Sequence, residues 1–289
     1  MSGVTSEVRK TNWRAGVRTT ALLAGLTGLL VFIGQLIGGP QTALLFLGIG
    51  LVLNMGTYWF SDRIALSMSR AKPLDEQQAP RLHQTVRELC LSANLPMPRL
   101  YVVPQAQPNA FACGRSPKHA AVAVTEGITQ LLGETELRGV LAHELAHIRN
   151  RDTLTQAIAA TIGGAITWIA YMLLWFSDDE SPLGLVGQLG MVLLAPLAAM
   201  LIQLGISRQR EYAADATGAA IAGSPSGLAD ALERLEACAA AVPMQVNPSS
   251  EPLYIVKPLR GGAIASLFST HPPMAERVRR LRAMAVSAT

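Results

Sequence analysis

The sequence predicts an α+β protein, in which a small sheet lies over a helix carrying two histidines and is joined to four apolar helices of membrane-spanning length. Three observations carry this reading. Only 15% of the 289 residues are charged, against about 25% in ordinary soluble domains, and three stretches, 19–61, 153–177 and 181–207, hold no Asp, Glu, Lys, Arg or His. Three short strand-like segments cluster between residues 99 and 124. A helical pattern then runs from Glu134 past His143 and His147. Such a composition argues against a disordered chain, a disulfide-stapled secreted domain and a plain cytosolic enzyme.

After a basic N-terminus (1–18), the first charge-free stretch, 19–61, has 43 residues, enough for two crossings at about 20 residues each. Gly38-Gly39-Pro40-Gln41 interrupts it near the middle, where Gly and Pro favour a turn, so Thr19–Gly39 and Thr42–Phe60 read as a helical hairpin. Thr153–Phe176 and Leu183–Ile206 supply a second pair within 153–207, with a buried hairpin of a soluble core as the alternative. The two globular segments are then 62–152 and 208–289.

Basic residues flank the spans on one side. Arg9, Lys10, Arg14 and Arg18 precede the first, Arg63, Arg70 and Lys72 follow the second, Arg149 and Arg151 precede the third, and Arg208 and Arg210 follow the fourth. The opposite loops hold no Lys or Arg. Because such residues are retained in the cytoplasm, both termini and both globular segments are expected there. A basic start followed by two spans reads as a retained anchor rather than a cleaved signal. The pI near 9.2 reflects this juxtamembrane charge, which suits anionic lipid; no nucleic-acid motif is visible. Three cysteines, Cys90, Cys113 and Cys238, form no metal spacing and suit a reducing compartment.

Within 62–152, Leu82, Val86, Leu89 and Cys90 recur at helical spacing over Ala79–Ala93, and Pro96 and Pro98 end that helix. Arg99–Val103, Asn109–Gly114 and Ala120–Val124 have strand character, the last two separated by a turn near Ser116-Pro117-Lys118. Glu134 and Glu136 then open a helix that carries Leu137, Val140, Leu141 and Leu145 and ends among basic residues, matching the helix dipole.

That helix contains His143-Glu144-Leu145-Ala146-His147, the H-E-x-x-H pattern. Histidines four apart share one helix face and can reach a single Zn²⁺, while Glu144 projects beside the metal, placed to accept a proton from an activated water. Such a site needs a third protein ligand. Asn150 and Thr153 stand where a second pattern, H-E-x-x-H-x-x-G-x-x-H, would have Gly and His, which excludes that class. Asp152 lies too close along the same helix and reads as a supporting or structural carboxylate. Glu211, in Glu211-Tyr-Ala-Ala-Asp215, comes from a separate helix and can approach the metal from another direction, with Asp215 on the same face accepting the free N–H of a ligand histidine. The bland alternative leaves both solvated beside Arg208 or Arg210.

With these residues in view, the chain resembles the HtpX-type membrane zinc metallopeptidases, relatives of the CAAX prenyl endopeptidases. The resemblance rests on the hydrophobic hairpin, Pro108-Asn109-Ala110-Phe111-Ala112, His143–His147, the second hydrophobic pair, Glu211–Asp215, and Thr270-His271-Pro272-Pro273 with Arg277. It implies a zincin-like catalytic domain holding one Zn²⁺ per chain. It also implies that Asn109, Ala110, Phe111 and Ala112 bind substrate backbone, which agrees with peptide recognition by strand addition, and that the protein removes misfolded or damaged membrane proteins from the bacterial cytoplasmic (inner) membrane. His271 stands before Pro272-Pro273 at a helix start; it can donate to the oxyanion of the attacked carbonyl, or cap and pack. Arg277 is expected to brace acidic groups. The expected partners are polypeptides, chiefly membrane proteins, and the lipid bilayer. The rival readings are a CAAX-type processing protease and a non-hydrolytic membrane zinc-binding protein; Glu144 argues against the latter, and four spans are too few for an enclosed chamber.

Overall fold

The computed structural model describes residues 2–155, 208–241 and 272–287; most of the second hydrophobic pair, and His271, lie outside the described residues. Helix α1 (Ser2–Met68) is broken at Gly38 and Gly39. Gly39 adopts φ 70° and ψ −158°, a conformation open to glycine and strained for other residues, and the chain reverses here. The two halves lie against each other: the Asn54 amide donates to the Leu23 carbonyl at 3.0 Å and to Thr27 Oγ1 at 2.7 Å. The first charge-free stretch therefore folds back as a helical hairpin. Among the described residues, one helix is long and apolar enough to cross a membrane, Gly38–Met68, with a mean hydropathy of 1.6 over a window only 11% buried. The apolar part of the preceding arm, Leu23–Phe32, is shorter.

The helix does not stop at residue 61. It continues to Met68, and its last turns, with Ser61, Asp62, Ala65 and Leu66 buried, enter the globular part. There follow β1 (Lys72–Pro73), α2 (Pro80–Ala93), β2 (Arg99–Val103), β3 (Ala110–Gly114), a 3₁₀ turn (Pro117–His119), β4 (Ala120–Thr125), α3 (Glu126–Leu131) and α4 (Glu134–Asn150). Beyond the second hydrophobic pair come α5 (Arg208–Ala222), α6 (Ser226–Ala241) and α7 (Met274–Ser287). β1 and α3 are additions to the sequence reading. β1 is only two residues long, and α3 is one short helix whose start is capped by Thr125, which accepts from the Ile128 N–H.

The sheet has the order β1-β2-β4-β3, with β2 and β4 parallel and β3 antiparallel to β4. Its two faces are covered by different parts of the chain. Ala110, Ala112, Val122 and Val124 pack with Leu141 and Leu145 of α4; Phe111, Cys113, Ala121 and Ala123 pack with Ala65 and Leu66 of α1. The period-2 alternation of the strands thus gives one face to the histidine helix and the other to the end of the apolar helix.

β3 forms an edge. The Thr125 N–H donates to the Asn109 carbonyl at 2.9 Å, which makes 109 and 125 a hydrogen-bonded pair. By alternation Phe111 and Cys113 also bond inward to β4, while Ala110, Ala112 and Gly114 turn their backbone groups to the side away from β4, where the strand is nonetheless buried. There the Gly114 carbonyl accepts from Thr153 Oγ1, just past the end of α4, at 2.9 Å.

Candidate metal centre

Helix α4 starts with the Gly133 N–H donating to Glu136 Oε2 at 2.7 Å, so an orphan donor of the first turn is satisfied. It ends where Arg151 takes a left-handed conformation, φ 60°. Between these ends, every residue from Gly139 to Ile148 is buried. Helix α5 crosses α4 in close approach at Gly218, where a Cβ would stand 2.9 Å from the His143 Cα. The absence of a side chain there lets the backbones approach and brings Glu211 and Asp215, earlier on α5, over the two histidines.

The rings of His143 and His147 meet edge to face, with centroids 4.7 Å apart. Their Nε2 atoms are 3.2 Å apart. The Glu211 carboxylate faces both, with Oε2 at 3.7 Å from His143 Nε2 and the other oxygen, Oε1, at 3.6 Å from His147 Nε2. All three residues are buried and form a group able to hold a metal ion. The distances test that fit. Ligands about 2.0–2.1 Å from a tetrahedral metal are about 3.3–3.4 Å from one another, close to the 3.2 Å between the two Nε2 atoms and a little shorter than the 3.7 and 3.6 Å from these atoms to the two Glu211 oxygens. The opposite ring atoms fit as well: His143 Nδ1 lies 3.0 Å from Asp215 Oδ1 and His147 Nδ1 lies 3.5 Å from Asp152 Oδ2. A carboxylate at each Nδ1 favours the tautomer whose Nε2 lone pair faces the centre.

Two arginines hold those carboxylates. Arg277, completely buried, arrives from α7 and donates to Asp215 through Nε at 2.9 Å and Nη2 at 2.6 Å. Its Nη1 stands 3.7 Å from Glu211 Oε2. Arg210, from the first turn of α5, places Nε 3.8 Å from Asp152 Oδ1. Sequence reasoning treated Arg210 only as a basic residue flanking a span or as a surface partner of Glu211 or Asp215; its position directly before Glu211 was the available signal.

The charges in this pocket shift one another. Burial alone would lower the His143 pKa, but hydrogen bonding to Asp215 and Glu211 outweighs it and raises the value to about 9 in the metal-free site. Burial would raise Asp215, yet the Arg277 guanidinium holds it down at about 2. Glu144, also buried, has its pKa raised by desolvation, opposed by the neighbouring histidines and by a hydrogen bond from the Ala112 backbone. That bond uses the N–H of Ala112 that points away from β4, so the carboxylate sits between the histidine helix and the outer edge of β3. Asn109 is held at the head of this strand by Thr125, whose Oγ1 accepts from the Asn109 N–H at 2.8 Å.

Of the histidines outside the centre, His119 is exposed and bonded to Ser116, as expected for a turn. His83, expected at the solvent face, is instead half-buried, its Nε2 2.8 Å from the Leu74 carbonyl, because the segment before α2 folds back over it. Cys113 is buried and its thiol pKa is pushed up to about 12 by desolvation, which makes it an inert core residue.

Residues 76–285 match the model of the family described as Peptidase family M48. A protein named Protease HtpX homolog from Syntrophobacter fumaroxidans is 52% identical over 277 residues, covering 92% of this chain and 98% of its own length. Another of that name, from Pelotomaculum thermopropionicum, is 54% identical over 273 residues, covering 92% and 97%. Among solved structures, the crystal structure of S. mikatae Ste24p is similar with a TM-score of 0.52 at 17% identity, over 94% of this chain and 66% of that one. At that identity the likeness concerns the fold.

Proposed function

Because the chain belongs to peptidase family M48 and is a membrane metalloendopeptidase of the HtpX type, we propose that it hydrolyses membrane-protein segments at a zinc site made by His143, His147 and Glu211. The observation that carries the assignment is the meeting of the two Nε2 atoms, 3.2 Å apart, with the Glu211 carboxylate, whose two oxygens stand 3.7 and 3.6 Å from them, each histidine being backed by a carboxylate. The donor set of two imidazoles and one carboxylate suits zinc and leaves a fourth position open. When bound, the ion supplies the Lewis acidity that brings the pKa of a water near 7 and polarises the scissile carbonyl.

The remaining work falls to side chains and backbone. Glu144 takes the proton of the attacking water on a carboxylate oxygen and returns it to the departing amine nitrogen. Its burial beside the histidines, with the pKa raised by desolvation, suits a base that must later act as an acid. The substrate backbone adds to the outer edge of β3 at Asn109, Ala110, Phe111 and Ala112, where both backbone groups of Ala110 and the carbonyl of Ala112 point away from β4, the Ala112 N–H being taken by Glu144. Asp215 and Asp152 hold the tautomers of His143 and His147, and Arg277 fixes Asp215. His271 is retained as donor to the oxyanion because α7, which begins three residues later, delivers Arg277 to this site.

The proposed organisation is that of the sequence: 1–18 and the globular parts 62–152 and 208–289 in the cytoplasm, with two helical pairs, 19–61 and 153–207, in the bacterial inner membrane. Only a few residues separate His147 and Glu211 from the second pair, which favours substrates close to the bilayer, such as misfolded or damaged membrane proteins. Purified full-length Glu144→Gln should keep its zinc and lose casein cleavage by about 10²–10⁴-fold, whereas Glu211→Ala should lose both. Wild-type turnover by Glu144→Gln would refute the assignment.

A further inference from the structure

The apolar arm of α1 ends in a layer of chemistry that the peptidase site does not use. Tyr58, Trp59 and Phe60 are consecutive and exposed, and the next two residues are already buried in the globular part. Arginines from three elements converge on this turn. Arg63, exposed, holds its guanidinium 5.5 Å from the centre of the Phe60 ring. Arg115, just beyond β3, lies 4.6 Å from the centre of the Trp59 ring and donates to the Trp59 carbonyl at 3.4 Å. Arg99 on β2 is paired with Asp62, so the carboxylate in these contacts is already taken, and among the described residues neither Arg63 nor Arg115 stands in an ion pair.

Aromatic rings with one apolar and one wet side settle at the level of lipid headgroups. A guanidinium held against such a ring loses little further freedom on binding and offers a planar fork of donors that matches a phosphate. We propose that Arg63 and Arg115, seated on Phe60 and Trp59, bind the phosphate of an anionic lipid headgroup at the foot of the catalytic domain. The proposal rests on the reading of Thr42–Phe60, the apolar part of the helix that ends at Met68, as a membrane span. A lipid is favoured over free phosphate because the site stands at the end of a long apolar helix face, where an acyl chain would lie alongside Leu51, Val52 and Met55, all exposed.

The test uses the full-length protein, purified in detergent, incubated with equimolar phosphatidylcholine and phosphatidylglycerol, and read by native mass spectrometry for retained lipid. Wild type should retain phosphatidylglycerol selectively. Arg63→Gln with Arg115→Gln should weaken that retention by roughly 25-fold, at about fivefold per basic residue near an anionic surface. The remote pair Arg81→Gln with Arg138→Gln should leave it unchanged. Equal retention by wild type and the Arg63/Arg115 variant overturns the proposal, as does displacement of the lipid by excess inorganic phosphate alone. Alkaline washing of vesicles separates the two layers of inference: wild type that washes off refutes the membrane span, whereas wild type that stays but shows no headgroup preference refutes the site.

Discussion

Both histidines of the metal centre are backed by an aspartate and then an arginine, yet the two supports differ in closeness. On the His143 side, Asp215 is 3.0 Å from the ring and is gripped by Arg277 at 2.6 and 2.9 Å. On the His147 side, Asp152 is 3.5 Å from the ring and Arg210 is 3.8 Å from Asp152. The tight support is built from three packed helices, α4, α5 and α7. The loose one is built from residues on either side of the second hydrophobic pair, after α4 has ended and as α5 begins. Closeness at this centre therefore follows the packing of the three helices and is looser where the chain enters and leaves the second hydrophobic pair, although both supports use the same residue types.

The comparison can be broken most forcefully at Arg277. Arg277→Leu leaves Asp215 buried beside Glu211 without its counter-charge, and removal of one partner from a buried pair costs about 3–5 kcal/mol; denaturant unfolding in detergent should register a loss of that size, and a stable variant would show that the tight support is dispensable.

Next in size is a pH effect. With its pKa raised to about 9, protonated His143 contributes stability to the metal-free protein that is complete below about 6.5 and lost as pH rises through about 9. Metal requires the neutral imidazole. Apparent metal affinity should therefore move the opposite way, gaining about tenfold per pH unit across that window and levelling above it. A competition titration with a chromogenic chelator measures this slope, and a flat profile would contradict the charge assignment.

Asp215→Asn should lower metal affinity about 10–100-fold and move the levelling point to lower pH, since the main hydrogen-bonding carboxylate is gone. Asp152→Asn is expected to have the smallest effect, below about tenfold by the same titration. Should it match Asp215→Asn, the difference in closeness has no energetic meaning.

The histidine pair and its glutamate were legible because helical spacing alone puts positions 143 and 147 on one face, and the break at Gly38-Gly39 was legible because the backbone there needs glycine. The strands at 99–103 and 120–124 also followed from composition. The order β1-β2-β4-β3 did not, since nothing in the local pattern tells β4 to insert between β2 and β3. Arg210 was read by its neighbourhood: an arginine just past an apolar stretch signals orientation, and its carboxylate partner lies 58 positions earlier. Residues 61–68 were hidden in part for a related reason. They fell at the start of the globular segment 62–152, but local periodicity does not show that the apolar helix runs on unbroken to Met68 and that Ala65 and Leu66 form the underside of a sheet.

That continuity gives the enzyme a fixed standoff. From Trp59 to Leu66 the helix rises about 10 Å at 1.5 Å per residue, with no joint in between, so the sheet rides on a strut of constant height. An extended chain covers about 3.3 Å per residue. With the apolar arm placed in the bilayer as proposed, a membrane substrate would have to release about three residues of unfolded chain beyond the headgroups before a peptide bond reached the level of the strand edge. Segments still packed down to the bilayer surface would stay out of reach, so the length of this strut would act as a measure of how far a protein has come apart.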